Sequence, residues 1–409
     1  METLPYNYAV FLGSGGMTAG VYALNPDTGT VSAILTLPRG HSVYSMSLDE
    51  LATKLALGTR TSQVSVVRLE DQANPAVVPT HRLPCGAAVL DLGWLPDSGL
   101  ATLDHTWRVL LWEPSLKPCS VRSLATTGLP IGALCTADTE LVVISFQGKI
   151  LFNELPDGTI RRIIDGPPIA RQLPPFKIVL WPHRNALVYP SATGQMATYA
   201  NGALRVRDAH LGGFHVALPL IDGSLVTIGR HDGRLKRWDD VEGDCCHEVA
   251  APRDIIAGAV ASDREQSIVL VNGQGRAWVY ELGADELKLK YHVEGSAYRS
   301  VTGPSVTMRL AIDRQRREER AHQIGEAIAQ VIESGPPGQT DELHRELIDL
   351  GYERVSCELR AQEAQKHGDD VAELEARHRQ SQLLSPTRPG ARKYLSKYTY
   401  CLLVDFSQF

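Results

Sequence analysis

The chain repeats itself. Seven short apolar segments, each following a turn, end at Leu24, Val67, Trp112, Asn153, Tyr199, Trp238 and Tyr280, so successive ends lie 43, 45, 41, 46, 39 and 42 residues apart. A period of this size leaves few architectures open, because each unit is one supersecondary piece that must bury its surface against the next. Helical repeats of similar length need apolar residues every three or four positions, and the repeating part of the chain lacks that spacing. Each unit reads instead as short strands split by turn residues. Before Val67, residues 43–47 alternate, Asp49-Glu50 turns, 55–58 is apolar, 59–62 turns and 64–69 alternates again. The next unit, VLDLGWLPDSGLATLDHTWRVLLWE, repeats the plan. Its Pro96-Asp97-Ser98-Gly99 is a strong turn signal, since Pro presets φ and Gly tolerates φ > 0.

Four strands per unit, seven times over, predict an all-β chain: a seven-bladed β-propeller of four-stranded blades. One twisted sheet cannot bury both faces alone, but it can when packed radially between neighbours. The ring must also close. The chain enters part-way through a blade, since 8–12 and 20–24 supply only inner and middle strands. Residues 298–308 are therefore expected to complete that blade and latch the ring.

The most specific stretch is GRHDGRLKRWDD, residues 229–240. His231-Asp232 invites reading as a catalytic dyad, but adjacent residues in a tight turn point apart, and a dyad needs a nucleophile or metal at the same point. Asp232-Gly233, four residues and then Trp238-Asp239 resemble the blade signature of WD-repeat propellers, and the likeness extends over residues 6–308. In that family an Asp in the turn, a Trp closing the next strand, a Ser or Thr on the preceding strand and a His before the blade form a hydrogen-bonded set. His210, Asp232 and Trp238, followed by Asp239, match it. Thr227 is the nearest hydroxyl, and by count it falls one position out of register. Other blades depart further: Gln274-Gly275 and Thr193-Gly194 replace Asp-Gly, and Leu24 and Asn153 take the Trp slot. The resemblance implies partner binding without catalysis and without a cofactor. It also implies one or more protein partners, an ATPase or effector subunit among the candidates.

From Met308 the pattern changes to helix. Ala321, Ile324, Ile328 and Val331 recur at three- and four-residue spacing, ahead of Ser334-Gly335-Pro336-Pro337-Gly338. Thr340 is placed to cap a second helix with Leu343, Leu347 and Leu350 on one face. Tyr352, Val355 and Leu359 mark a third, and Asp369 or Asp370 caps a fourth with Val371 and Leu374 inside. SPTRPG, 385–390, reads as a linker, and KYLSKYTYCLLVDFSQF reads as a C-terminal strand wanting a partner edge. The expected division is 1–308 propeller, 309–384 helical region and 385–409 linker and strand.

Other motifs point to little chemistry. The adjacent Cys245-Cys246, with His247, are poorly placed to meet at one tetrahedral ion and read as buried strand residues. GSGG, 13–16, lacks phosphate-loop spacing and a following helix. RQRREER, 314–320, has Glu318 and Glu319 among its arginines and reads as a solvated helix face, which leaves nucleic-acid contact through 309–333 a weak alternative. The net charge of −6 gives no global cationic field. Seven scattered cysteines, no signal-like start and no long apolar run lead us to expect a cytoplasmic protein that does not enter a membrane.

What remains is surface. Turns between second and third strands should crowd one rim of the ring, presenting Arg60, His105, Gln147, Thr193, Arg230, His231 and Gln274 as candidate partner contacts. No catalytic, cofactor or metal residues are assigned. The expected function is a non-catalytic interaction platform, a propeller subunit of a larger complex whose helical region docks a partner. The alternative is an enzyme or small-molecule sensor working in the central channel, but Asp91 and His215 are almost the only ionisable residues of the inner strands.

Overall fold

The computed structural model describes residues 10–384 except 16–18, 38–40, 50–52, 70–76, 83–86, 114–120, 138, 171–176, 261–266, 284–285, 296, 335–339 and 369. The expected linker, the C-terminal strand, Asp369 and part of GSGG lie outside the described residues. Seven four-stranded antiparallel sheets form a seven-bladed β-propeller. Blades 1 to 6 run in simple order over 43–82, 89–123, 131–165, 179–208, 214–250 and 255–292.

Blade 7 is built from both ends of the propeller sequence. Its innermost strand is Tyr298–Thr302, followed outward by Val10–Ser14, Gly20–Leu24 and Val31–Thr36. Leu12 pairs with Val301 and Phe11 with Thr302. Thus 298–302 does close the ring, in the innermost position, and Val10–Ser14, the first described strand, is the second of this blade. The latch is apolar. Tyr298 and Val301 are buried with Val10, Leu12 and Leu24 against Val269, Val271 and Val279 of blade 6. Phe11 and Val21 face the other way, into the core shared with Val43, Leu55 and Leu57 of blade 1. Alternation along one strand therefore serves two interfaces at once.

Six of the seven innermost strands carry a β-bulge near the same end, and the extra residues are Tyr44, Leu90, Gly132, His215, Ile256 and Arg299. A bulge raises local twist and re-aims a side chain, which suits strands converging on an axis.

Ser305 caps the first helix, its Oγ accepting the Met308 N–H at 3.1 Å. This helix, α1, spans Val306–Ser334 and starts inside the first of two compact units, which runs to Ala311, the second starting at Ile312. The buried Arg309 guanidinium donates to the Pro219 carbonyl at the end of the blade 5 inner strand, at 2.7 Å.

The second unit holds the rest of α1 with α2 (Asp341–Asp349), α3 (Glu353–His367) and α4 (Asp370–Leu384). Ala321, Ile324, Ile328 and Leu347 form its core; Ile332, not Val331, continues the α1 stripe, with Leu343, Leu350, Tyr352, Val355 and Leu359 packed around. Two expectations fail. Thr340 makes no side-chain cap, because its hydroxyl donates to Glu363 of α3 instead. Leu374 is 71% exposed, since its position on α4 faces water.

A chain ending at residue 297 loses several buried side chains at about 1.5–3 kcal/mol each, enough to exhaust a typical stability of about 5–15 kcal/mol. It should show no cooperative thermal transition by circular dichroism and should elute as aggregate. A chain ending at Ala311 should melt cooperatively as a monomer-sized ring.

Candidate functional site

Blade 5 contains a buried polar relay. Trp238 Nε1 donates to Thr227 Oγ1 at 2.8 Å, and Thr227 Oγ1 lies 2.9 Å from His210 Nε2. His210 Nδ1 lies 2.9 Å from Asp232 Oδ2. Indole N–H can only donate, so the Thr227 hydroxyl proton is left for His210 Nε2, and His210 Nδ1–H serves the carboxylate. A neutral imidazole satisfies every member. Burial holds the His210 pKa below its ordinary value, against the opposing pull of Asp232. Asp232 is fully used: Oδ2 also accepts Leu211 N–H and Oδ1 accepts Arg234 N–H. The apparent His231-Asp232 dyad is thus resolved in favour of His210, and His231 stands exposed.

The sequence count misplaced Thr227 because the blade 5 turn is longer. Ile228 pairs with Leu235, leaving four residues beyond the 229/234 position. Blade 2, for example, pairs Leu103 with Val109 and leaves three beyond 104/108. Leu225 pairs with Trp238, so Thr227 sits two residues along on the same face, directly under the indole. Asp239 lies past the strand end; its exposed carboxylate joins none of these bonds. Blade 2 repeats the Trp–Thr half, with Trp112 Nε1 donating to Thr102 Oγ1 at 3.2 Å. In blade 3, Asn153 fills the Trp slot and donates to the Leu141 and Leu151 carbonyls.

Sequence reasoning missed the capping of the other turns. Asp104 Oδ1 accepts Thr106 N–H, Ser191 Oγ accepts Thr193 and Gln195 N–H, and Asn272 Oδ1 accepts Gln274 and Arg276 N–H. Ser145 Oγ accepts Lys149 N–H in the same way. Short polar residues at strand ends were the available signal. In blade 5 Gly229 occupies this position, and a side chain there would collide with Asp232, which takes over the capping from inside the turn. The last turn residue is left-handed in six blades: Ser62, Trp107, Gly148, Gly194, Gly233 and Gly275. A tryptophan there costs about 1–2 kcal/mol of backbone strain. The Trp107 ring packs edge-on to Phe146 of blade 3 at 4.7 Å and lies beside His105.

This shared geometry sets the rim. Arg60, His105, Gln147, Thr193, His231 and Gln274 all emerge at one end of the ring, and all are exposed. Arg230 is half-buried, with Nε 3.4 Å from Asp254 Oδ1 and Nη1 3.4 Å from His215 Nε2. Burial, with Arg230 and His231 adding to it, pushes His215 down to about 3. Asp91 is buried 3.7 Å from Lys177; burial raises its pKa and Lys177 works against the rise. Cys245 and Cys246 lie in the link before the outer strand His247–Ala250, half-buried and exposed rather than in a strand core. Their thiols donate to the His247 and Arg237 carbonyls. Gly13 belongs to a strand and Gly15 bridges Ser42, so the glycine run opens no helix. On α1, Arg314 pairs with Glu318, Arg317 with Asp313 and Arg320 with Glu346.

The helical unit has its own buried polar centre. His344 is wholly buried, its Nδ1 3.0 Å from Ser356 Oγ and its Nε2 3.5 Å from Glu363 Oε2, which also accepts the Thr340 hydroxyl. Burial and Arg360 lower its pKa, while Glu363 opposes them. Ser356 and His344 are too deeply buried for a substrate to meet them in this conformation.

No family model matches the sequence, and no curated protein matches it. Solved structures do. The structure of U3-55K aligns with a TM-score of 0.50 at 14% identity, covering 65% of this chain and 86% of that one. The C-terminal WD40 domain of Sif2 aligns with a TM-score of 0.47 at 15% identity, covering 64% and 86%. The likeness is one of fold: the chain is a seven-bladed β-propeller with a helical region after it. No described helix is long and apolar enough to cross a membrane.

Thr227→Val leaves Trp238 Nε1 and His210 Nε2 without their shared partner. It should cost about 1–3 kcal/mol, seen as a lower urea midpoint, and His210→Ala should cost a similar amount. Neutral His215 carries a folded pKa below its unfolded value, so stability is complete above about pH 6.5 and is lost as pH falls from there towards 3. His215→Gln should flatten the pH dependence of the melting temperature across that window.

Proposed function

We propose that the protein is a non-catalytic interaction platform, a propeller subunit of a larger complex that receives a partner on the rim and docks another through its helical region. One observation carries the reading. Six turns end on a left-handed residue, and each presents an exposed side chain at one end of a closed ring. Loops held on a rigid scaffold are where binding residues concentrate. Arg60, His105, Gln147, Thr193, Arg230, His231 and Gln274 are the proposed contacts, with His210, Asp232 and Trp238 holding one turn in place behind them. An ATPase or effector subunit is one class of partner to seek.

The channel alternative has less support. Asp91 and His215, the inner-strand residues on which it would draw, are 3% and 6% exposed, and each is engaged by a neighbouring cation. Nucleic-acid contact through α1 is weakened by the acidic partners of Arg314, Arg317 and Arg320.

Native purification with mass spectrometry tests the platform. The full chain should bring down a stoichiometric partner. That partner should be lost from R60A/H105A/H231A if it sits on the rim, or from a chain ending at Ala311 if it sits on the helices. A homogeneous monomer carrying a bound metal or small molecule would sink the reading.

A further inference from the structure

The two ends of the ring differ in charge. Turns joining first to second and third to fourth strands emerge at one end. There Asp27, Asp97, Asp157 and Glu286 have no ion-pair partner among the described residues, while Asp240 and Asp244 share the field of Arg207. The rim end of blades 5 to 7 is the reverse. Arg253 lies in the link between blades 5 and 6, Arg276 closes the blade 6 turn, and Arg299 is the bulge residue of the latch strand. All three are exposed, and none has an ion-pair partner among the described residues.

These arginines belong to one connected surface. Arg230 reaches Asp254, whose backbone carbonyl accepts Gly273 N–H at 2.9 Å, and the Gly273 carbonyl accepts Arg299 Nη1 at 3.1 Å. The Arg253 stem lies over Gly233 of the blade 5 turn. Carboxylates at this end do not cancel the charge. Asp232 is spent on His210 and two backbone N–H groups, and Asp254 is paired with Arg230, which leaves the exposed Glu294 nearby in the chain. Beside them Leu211 is 78% exposed, anchored through its N–H to Asp232, with His231 against the adjoining Gly212.

We propose that the rim of blades 5 to 7 docks an acidic polypeptide segment of a partner protein, its carboxylates on Arg253, Arg276 and Arg299 and an apolar side chain on Leu211. Guanidinium forks match carboxylates in paired geometry. An exposed leucine adds desolvation energy that a carboxylate run alone lacks. A long polyanion fits less well, because the chain carries a net −6 and unpaired carboxylates crowd the opposite end. Attraction between exposed charges reaches about one screening length, roughly 8 Å at physiological salt. The inference rests on the rim being a partner surface, and it adds the chemistry of the partner.

The full chain should be titrated against a labelled Glu-rich peptide containing two leucines, its Lys-rich counterpart and a single-stranded thymidine oligonucleotide, read by fluorescence anisotropy. The acidic peptide should bind, weakening at least about tenfold as salt rises several-fold. R253E/R276E should abolish binding and R253A/R276A should weaken it, both with melting temperatures close to the parent, since neither guanidinium makes a bond that the fold uses. D157K, at the other end, should change nothing. Equal binding by R253E/R276E, tighter binding of the oligonucleotide, or no binding by the folded chain would overturn the inference. A native partner that is lost from the rim variant, alongside no acidic-peptide binding, rejects this inference and leaves the platform standing. Peptide binding lost in R253E/R276E, with no native partner recovered, upholds the inference and counts against the platform.

Discussion

The whole ring depends on one antiparallel pairing, between Tyr298–Thr302 and Val10–Ser14. Every other blade is made of consecutive chain and its neighbours are already beside it. Blade 7 alone must gather strands separated by most of the propeller sequence. Until it does, two blade faces are open, one lined by Val10, Leu12 and Leu24 and the other by Phe11 and Val21. Apolar burial drives the pairing, and the backbone ladder fixes its register so that alternate side chains meet different neighbours.

With the ring closed, the turns become fixed points. A left-handed residue ends six of them, and a short polar side chain caps most from the strand end. Blade 5 exchanges parts: a glycine vacates the cap position and Asp232, within a longer turn, fills it while orienting His210. The left-handed turn end is thus kept within the molecule while turn length and outward side chains vary. That is the division of labour expected where a scaffold holds position and surface supplies recognition.

The blade count and order could be read from the sequence because turn residues and alternation recur on a regular period. Register within a turn could not, since an added residue at 230–233 shifts every later position by one. Trp112–Thr102 lay unseen because a Thr two residues along a partner strand has no linear signature. Asp104, Ser145, Ser191 and Asn272 were visible as turn-forming types but do not announce which N–H they accept. In the helices the apolar stripe of α1 was clear, whereas Thr340 turned to Glu363, and Leu374 to water, for reasons that depend on neighbouring helices. The charge contrast between the two ends is invisible in a net charge of −6 and emerges only once strand order assigns each turn to an end.

Arg309 stands between the latch and the rest of α1. Its buried guanidinium grips the Pro219 carbonyl of blade 5, four residues after Ser305 caps the helix and seven after the latch strand ends at Thr302. Tension applied to the chain beyond Ser334 would therefore meet this grip before it reached Tyr298–Thr302. The load would be shared with an inner strand whose own ends are not free, as a cleat takes the strain off a knot. A ring closed by its final strand can in this way carry a working appendage on that same strand without being unzipped by it.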